Sequence, residues 1–230
     1  MRSRSTVQRI DALILSSRVH RARAGRLYNL SMADPLYFSL WFPNLRLEQL
    51  QPHLVNVLRQ LPAPAVHAAT VYPLDWQQTP IFQRVYGNES TGAVPPDEAA
   101  AEAFEALHDD YAYEFEAHWR LWMPESDGML DTLWREQQQP LRITAFGPEF
   151  DQSCYQQQGH IRIDLGLDTP FLCEEIELDG EGKKHLQQNV LLLVALTKAV
   201  EKNCGAETRL LWTEGEDNMA SKLIARLQKN

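Results

Sequence analysis

From Met32 onward the apolar positions switch repeatedly between a period of two and a period near 3.6, which predicts strands alternating with helices. Seven strands and five helices follow. The first strand is read at Leu36 to Phe42, and Leu47, Leu50, Leu54, Val57, Leu58 and Leu61 lie at helical spacing behind it. Asn44 is the expected cap, with Pro52 near the helix start or dividing the segment. Val66 to Leu74 and Ile81 to Tyr86 predict a hairpin across the polar turn 75–80. A Gly/Pro/Asn/Ser loop from Gly87 to Pro96 and a helix over Asp97 to Leu107 come next.

The clearest alternation is at Tyr111 to Met123. Tyr111, Tyr113, Phe115, Ala117, Trp119, Leu121 and Met123 fall on one side, and Glu114, Glu116, His118 and Arg120 on the other. This predicts a mid-sheet strand with one buried face and one wet or functional face. A short helix is read from Gly128 to Arg135, then a second hairpin, Leu141 to Phe146 with His160 to Leu167, across the polar loop Pro148 to Gly159. A helix from Lys184 to Asn203 stopped by Gly205, a strand from Thr208 to Thr213 and a helix from Asp217 to Leu227 complete the chain.

The fold class expected is α+β, with helices packed on one face of a mainly antiparallel sheet. Its first six elements run βαββαβ, the order of a ferredoxin-like (α/β) plait. Leu40-Trp41-Phe42-Pro43 is echoed by Leu121-Trp122-Met123-Pro124, each followed by a predicted helix and hairpin. Residues 32–230 therefore read as one domain, or as two plait-like halves, 32–123 and 111–230, sharing the central strand. The bland alternative is that Leu-Trp is common at buried strand ends.

Charge divides the chain. Residues 1–31 carry seven arginines against the single acid Asp11 and read as a basic extension without its own fold, with Met32 as a candidate start. Of the chain's 22 basic and 31 acidic residues, that leaves 15 and 30 from Met32 onward, a net −15. Such an excess of acid disfavours nucleic acid as a partner, because that binding relies on Lys and Arg displacing counterions. No apolar run approaches the roughly 18 to 20 residues of a membrane span. Cys154, Cys173 and Cys204 form no CxxC pair and no zinc spacing, which fits a reducing cytoplasm.

Candidate chemistry lies on the polar side of the strands. Glu114, Glu116, His118 and Arg120 on the fourth strand, Arg142 and Thr144 on the fifth, and His160, Arg162 and Asp164 on the sixth form a binding face. His118, His160, Glu116 and Asp164 are the catalytic candidates within it, since two imidazoles and two carboxylates suit general acid–base work or a divalent cation. Cross-strand charge pairs on a solvated sheet need no functional explanation, however. Trp76, among polar turn residues, is a candidate contact anchor, or with Phe150 a lid folded back on the sheet. The acids around Gly215, Glu214 to Asn218, read mainly as helix capping. No sequence motif implies a cofactor, and no metal ligand set is assigned. The functional expectation is a non-enzymatic module that binds a macromolecule, such as a basic protein, through an acidic open sheet face, in the manner of a bacterial immunity protein. The alternatives are a small-molecule or metal-dependent enzyme on the same face, or a homodimer that buries it.

Overall fold

The computed structural model describes residues 33–86, 92–126, 132–174, 176–215 and 219–228. The basic segment 1–31, the first half of the predicted loop 87–96 (residues 87–91), residues 128–131 and the acidic residues Glu216 to Asn218 lie outside them. In chain order the elements are β1 (Pro35–Trp41), α1 (Leu47–Leu58), β2 (Ala68–Pro73), β3 (Phe82–Val85), α2 (Pro96–Ala103), β4 (Tyr111–Ser126) and β5 (Thr132–Phe146). A 3-10 turn (Phe150–Ser153) then runs into α3 (Cys154–Gln157), followed by β6 (Ile161–Leu167), α4 (Thr169–Leu172), α5 (Gly180–Asn203), β7 (Thr208–Thr213) and α6 (Met219–Gln228).

The seven strands form one sheet in the order β3-β2-β4-β5-β6-β1-β7, and every neighbouring pair is antiparallel. The class is α+β, as the alternating periods imply. The ferredoxin-like plait is not formed. A plait built from the first six elements would hold β1 among β2 to β4, whereas β1 here is hydrogen-bonded between β6 and β7. Both predicted hairpins do form, β2 with β3 and β5 with β6.

The second correction concerns Gly128 to Arg135. Its described part, Thr132 to Arg135, is strand, because β5 begins at Thr132 and pairs with β4 out to Ser126. The run Gln137-Gln138-Gln139-Pro140 has no apolar alternation of its own and takes its conformation from β4. Pro140 is tolerated there because β5 pairs with β6 only over Arg142 to Ala145, so at Pro140 the strand has a free side. Pro52 likewise does not divide α1. It lies inside the helix on an exposed turn, where the missing N–H strands a carbonyl that water reaches. Asn44 is not the cap. It takes a left-handed turn conformation (φ 49), and Gln49 Oε1 accepts from the Arg46 N–H at 3.1 Å instead.

The four longer helices and the inward-facing strand residues share one core. Leu50, Leu54, Val57 and Leu58 of α1, Ala99 and Ala100 of α2, Leu186, Val190, Leu193 and Val200 of α5, and Met219 and Leu223 of α6 meet Phe38, Phe115, Trp119, Ile143 and Ile163 of the sheet. A second, small cluster sits on the opposite face. Phe150 and Cys154 of the 148–159 segment fold over Ala112 and Phe146, with Trp76, Tyr72 and Tyr155 packed around them.

α5 starts four residues before its predicted boundary. Asp179 caps it, accepting from the Gly182 N–H at 2.6 Å. Mid-helix, the fully buried Asn189 acts as an extra strand residue. Its Oδ1 accepts from the Trp122 N–H (2.9 Å), and its Nδ2 donates to the Trp122 and Pro170 carbonyls (2.8 and 2.7 Å). This closes the side of β4 that β2 leaves unpaired, since β2 reaches only as far as Glu116.

Candidate functional site

The strand register turns the polar face into two rows that cross the sheet. One runs Thr70, Glu114, Thr144, Arg162, Ser39, Leu210 across β2, β4, β5, β6, β1 and β7, and the next runs Ala68, Glu116, Arg142, Asp164, Tyr37, Trp212. Because side chains alternate along each strand, all of these stand on the face opposite the four longer helices. The first row is set on short hydroxyl residues, Thr70, Thr144 and Ser39, which are buried beneath taller neighbours. Ser39 Oγ accepts from the Trp212 indole N–H at 2.9 Å. In the second row Glu116, Arg142 and Asp164 alternate in sign on adjacent strands.

Arg162 is held as a plate between two rings, its guanidinium carbon 5.1 Å from the centre of Tyr37 and 5.4 Å from that of Phe146. Its terminal nitrogen donates to Gln158 Oε1, while its buried Nε has no partner. Arg142 is exposed and makes no ion pair or hydrogen bond to another described residue. Burial raises the Glu114 carboxyl above the usual carboxylate range, and Arg142 and Arg162 only partly offset this. Burial, Glu114 and Asp164 likewise raise the phenols at the rim. Tyr72 responds to burial and Glu114, Tyr37 to burial and Asp164.

The four catalytic candidates are not all brought together, for only His118 and Glu116 meet. His118 stands opposite Pro140, and His160 stands at the level of Phe146, six positions further along β5; at about 3.4 Å per residue that is roughly 20 Å. His118 Nε2 lies 3.3 Å from Glu116 Oε1, its ring is 4.1 Å from that of His67, and its Nδ1 is buried without a partner. His160 is instead a packing residue. Its Nδ1 accepts from the Phe42 N–H at 3.0 Å, and its ring stacks on Tyr155 at 4.0 Å. Burial and the nearby His53 push it down to about 4. Asp164 Oδ1 accepts from the Gly166 N–H at 2.9 Å, which turns it along its own strand.

Trp76 packs edge-on against Phe150 and Phe146, with ring centres 5.1 and 6.0 Å away, and so is part of the small second core. Arg120 lies further out along β4, 3.8 Å from Glu136, both exposed. The face is therefore not acidic in itself. Glu114, Glu116, Asp164 and Glu136 are nearly matched by Arg120, Arg142 and Arg162, and the chain's acidic excess is carried elsewhere.

Tyr37, Ser39 and Trp212 belong to the site and were not among its predicted residues. The alternation of β1 and β7 marks them as sharing one side, but only the β6-β1-β7 pairing shows that this side is continuous with Glu114 and Arg162. His108, Asp109 and Asp110 are the described group whose ligand atoms lie close enough to hold a metal. His108 is exposed and the two aspartates are half-buried, and His108 Nδ1 already contacts both carboxylates at 3.2 and 2.6 Å, so nothing there calls for an ion. Burial pushes the Cys173 and Cys204 thiols up to about 11, and they are protonated at neutral pH.

No family model matches the chain, and searches of the curated proteins and of the solved structures return no match either.

Proposed function

We propose that this chain is a non-catalytic binding module that docks a protein partner on the sheet face around Arg142, Arg162, Glu114 and Asp164. The observation that carries the reading is a pair of arginines standing on the sheet face away from the main core with donors left over, one without an ion-pair or hydrogen-bond partner among the described residues and one fixed between aromatic rings. Arg, Tyr and Trp are the residues that most often anchor protein interfaces, and Tyr37 and Trp212 flank this pair. The interleaved signs of Glu116, Arg142 and Asp164 would fix the partner's register. The −15 balance from Met32 onward would steer a basic partner toward the chain from a distance. The separation of His118 from His160, and the raised thiols, favour binding over catalysis. Free buried thiols suit a reducing cytoplasm.

The test is site-specific photocrosslinking in extract of the source organism, with the reactive side chain at position 142 and, as control, at Glu201 on the helix side. A discrete adduct from position 142 alone, weakened several-fold by Arg162→Ala and by raised salt, is the expected result. Equal adducts from both positions, or none from 142, would remove the reading.

Glu114 favours a second reading. A carboxyl with a raised pKa beside two arginines is the kind of group enzymes use as a general acid. Turnover of a small ester, amide or phosphate that Glu114→Gln abolishes would replace binding with catalysis on the same face.

A further inference from the structure

Among the described residues, the three most exposed large apolar side chains lie on one hairpin, where Leu74 is 54%, Ile81 52% and Val85 71% exposed. Val85, opposite Ala68, stands on the same side as the polar rows at the sheet margin formed by β3, and Ile81 immediately precedes that strand with its N–H turned inward to the Val71 carbonyl at 3.0 Å. Among the described residues no strand pairs with the outer side of β3. Tyr86 turns its N–H inward to the His67 carbonyl at 2.8 Å. Strand alternation therefore points the N–H and C=O groups of Gln83 and Val85 outward. An edge with outward backbone groups and apolar side chains is a template for another strand.

We infer that β3 pairs with β3 of a second copy of this chain, antiparallel and about a two-fold axis at Gln83. The sequence around that residue is self-complementary under the operation. Gln83 meets Gln83 of the other copy, so two side-chain amides can bond each other. Val85 falls beside the segment at Ile81 that leads into β3 of the other copy, so the most exposed of the described large apolar side chains is covered twice. The same register keeps like charges apart, because Arg84 falls opposite Phe82. Arg84 is also held within its own chain, 2.8 Å from Glu102 and over the Tyr86 ring. A contact this short lies below the size of permanent interfaces, so the dimer is reversible, with dissociation in the range of roughly 10 µM to 1 mM. Antiparallel edge pairing makes one continuous sheet with both polar faces on the same side, offering a partner two sites at once. The inference does not depend on what those faces bind.

Sedimentation of the full chain from about 10 µM to about 1 mM tests it. The mean mass is expected to rise toward twice that of the chain, and Val85→Lys is expected to weaken association at least ~10-fold without lowering the melting temperature. Register is read by mild oxidation of variants that each add one edge cysteine to the three buried native ones. Gln83→Cys is expected to form a disulfide between copies, since facing residues in a hydrogen-bonded pair lie about 5.5 Å apart at Cα, within disulfide reach. Val85→Cys, displaced from its own mate, is expected not to. A monomer throughout the range, association unchanged by Val85→Lys, association abolished instead by Arg142→Glu, or equal crosslinking of the two cysteine variants would each overturn the inference. Photocrosslinking at position 142 reads the sheet face independently.

Discussion

Burial raises the Glu114 carboxyl above its ordinary value of 4.5, and the arginines beside it do not fully reverse the shift. The folded chain therefore holds this proton more tightly than the unfolded one. Its contribution to stability is fullest below the ordinary carboxylate range and is lost as pH rises through the raised value. At pH 7 Glu114→Gln is expected to melt higher than the wild type, with the gap closing as pH approaches 4.5. A Gln variant that melts lower at pH 7 would mean that the arginines outweigh burial. His160 has the opposite linkage. Its folded value is depressed from 6.5 to about 4, and its Nδ1 must stay unprotonated to accept from Phe42. Stability is present above 6.5 and is lost as pH falls toward 4. Urea midpoints across that window should decline in the wild type and decline less steeply in His160→Asn. Some slope should persist, because His53 and His67 are also lowered. In the sequence His160 and His118 look alike, each a histidine at a polar strand position. What separates them is the ring of Tyr155 and the Phe42 amide, both contributed by other parts of the chain.

At the scale of elements, the paired β4 and β5 depend on a residue from a helix. β4 continues ten residues past the last one that β2 covers, and Asn189 satisfies the exposed backbone at Trp122. Asn189→Leu keeps approximately the same volume but leaves one N–H and two carbonyls without partners. It is expected to cost about 3 kcal/mol in a denaturant titration, since each orphaned buried group costs roughly 1 to 3 kcal/mol. A loss under about 1 kcal/mol would show that water replaces the amide. The other end of β5 is fixed by a close approach, for a Cβ on Gly147 would lie 2.3 Å from the Asp109 carbonyl oxygen. Periodicity placed β4 on the correct side and misread residues 132–135 as helix for one reason. β4 alternates because one of its faces is packed along most of its length, whereas the stretch before Leu141 is partnered on one side only and can be polar throughout. The short helices α3 and α4 left no periodic signal because each is a single turn.

For the whole molecule, strand order matters more than strand content. β1 crosses the sheet to lie between β6 and β7, and that crossing carries Tyr37 and Ser39 beside Arg162. Had β1 stayed beside β4 as in a plait, the face would have no aromatic rim at this point and Arg162 would lose one of its two rings. The same order leaves β3 and β7 as the outer strands, and it is β3 that exposes Val85. Charge also acts at this scale. The polar face is close to neutral, so attraction for a basic partner would come from the acidic remainder of the surface, and specificity from the fixed arginines. No helix among the described residues is long and apolar enough to cross a membrane.

The sequence by itself determined which residues turn inward. Side-chain periods of two and 3.6 are local geometry, and the cost of exposing apolar groups imposes them on every element with a packed face. That sufficed for the α+β class, for both hairpins and for the polar side of β4. Only the tertiary structure decided which strands lie side by side, because hydrogen bonds between strands are made by the backbone and are chemically alike at every position. The rows that join Glu114 to Arg162 and Tyr37, the separation of His118 from His160, and the free edge of β3 all follow from that choice of neighbours.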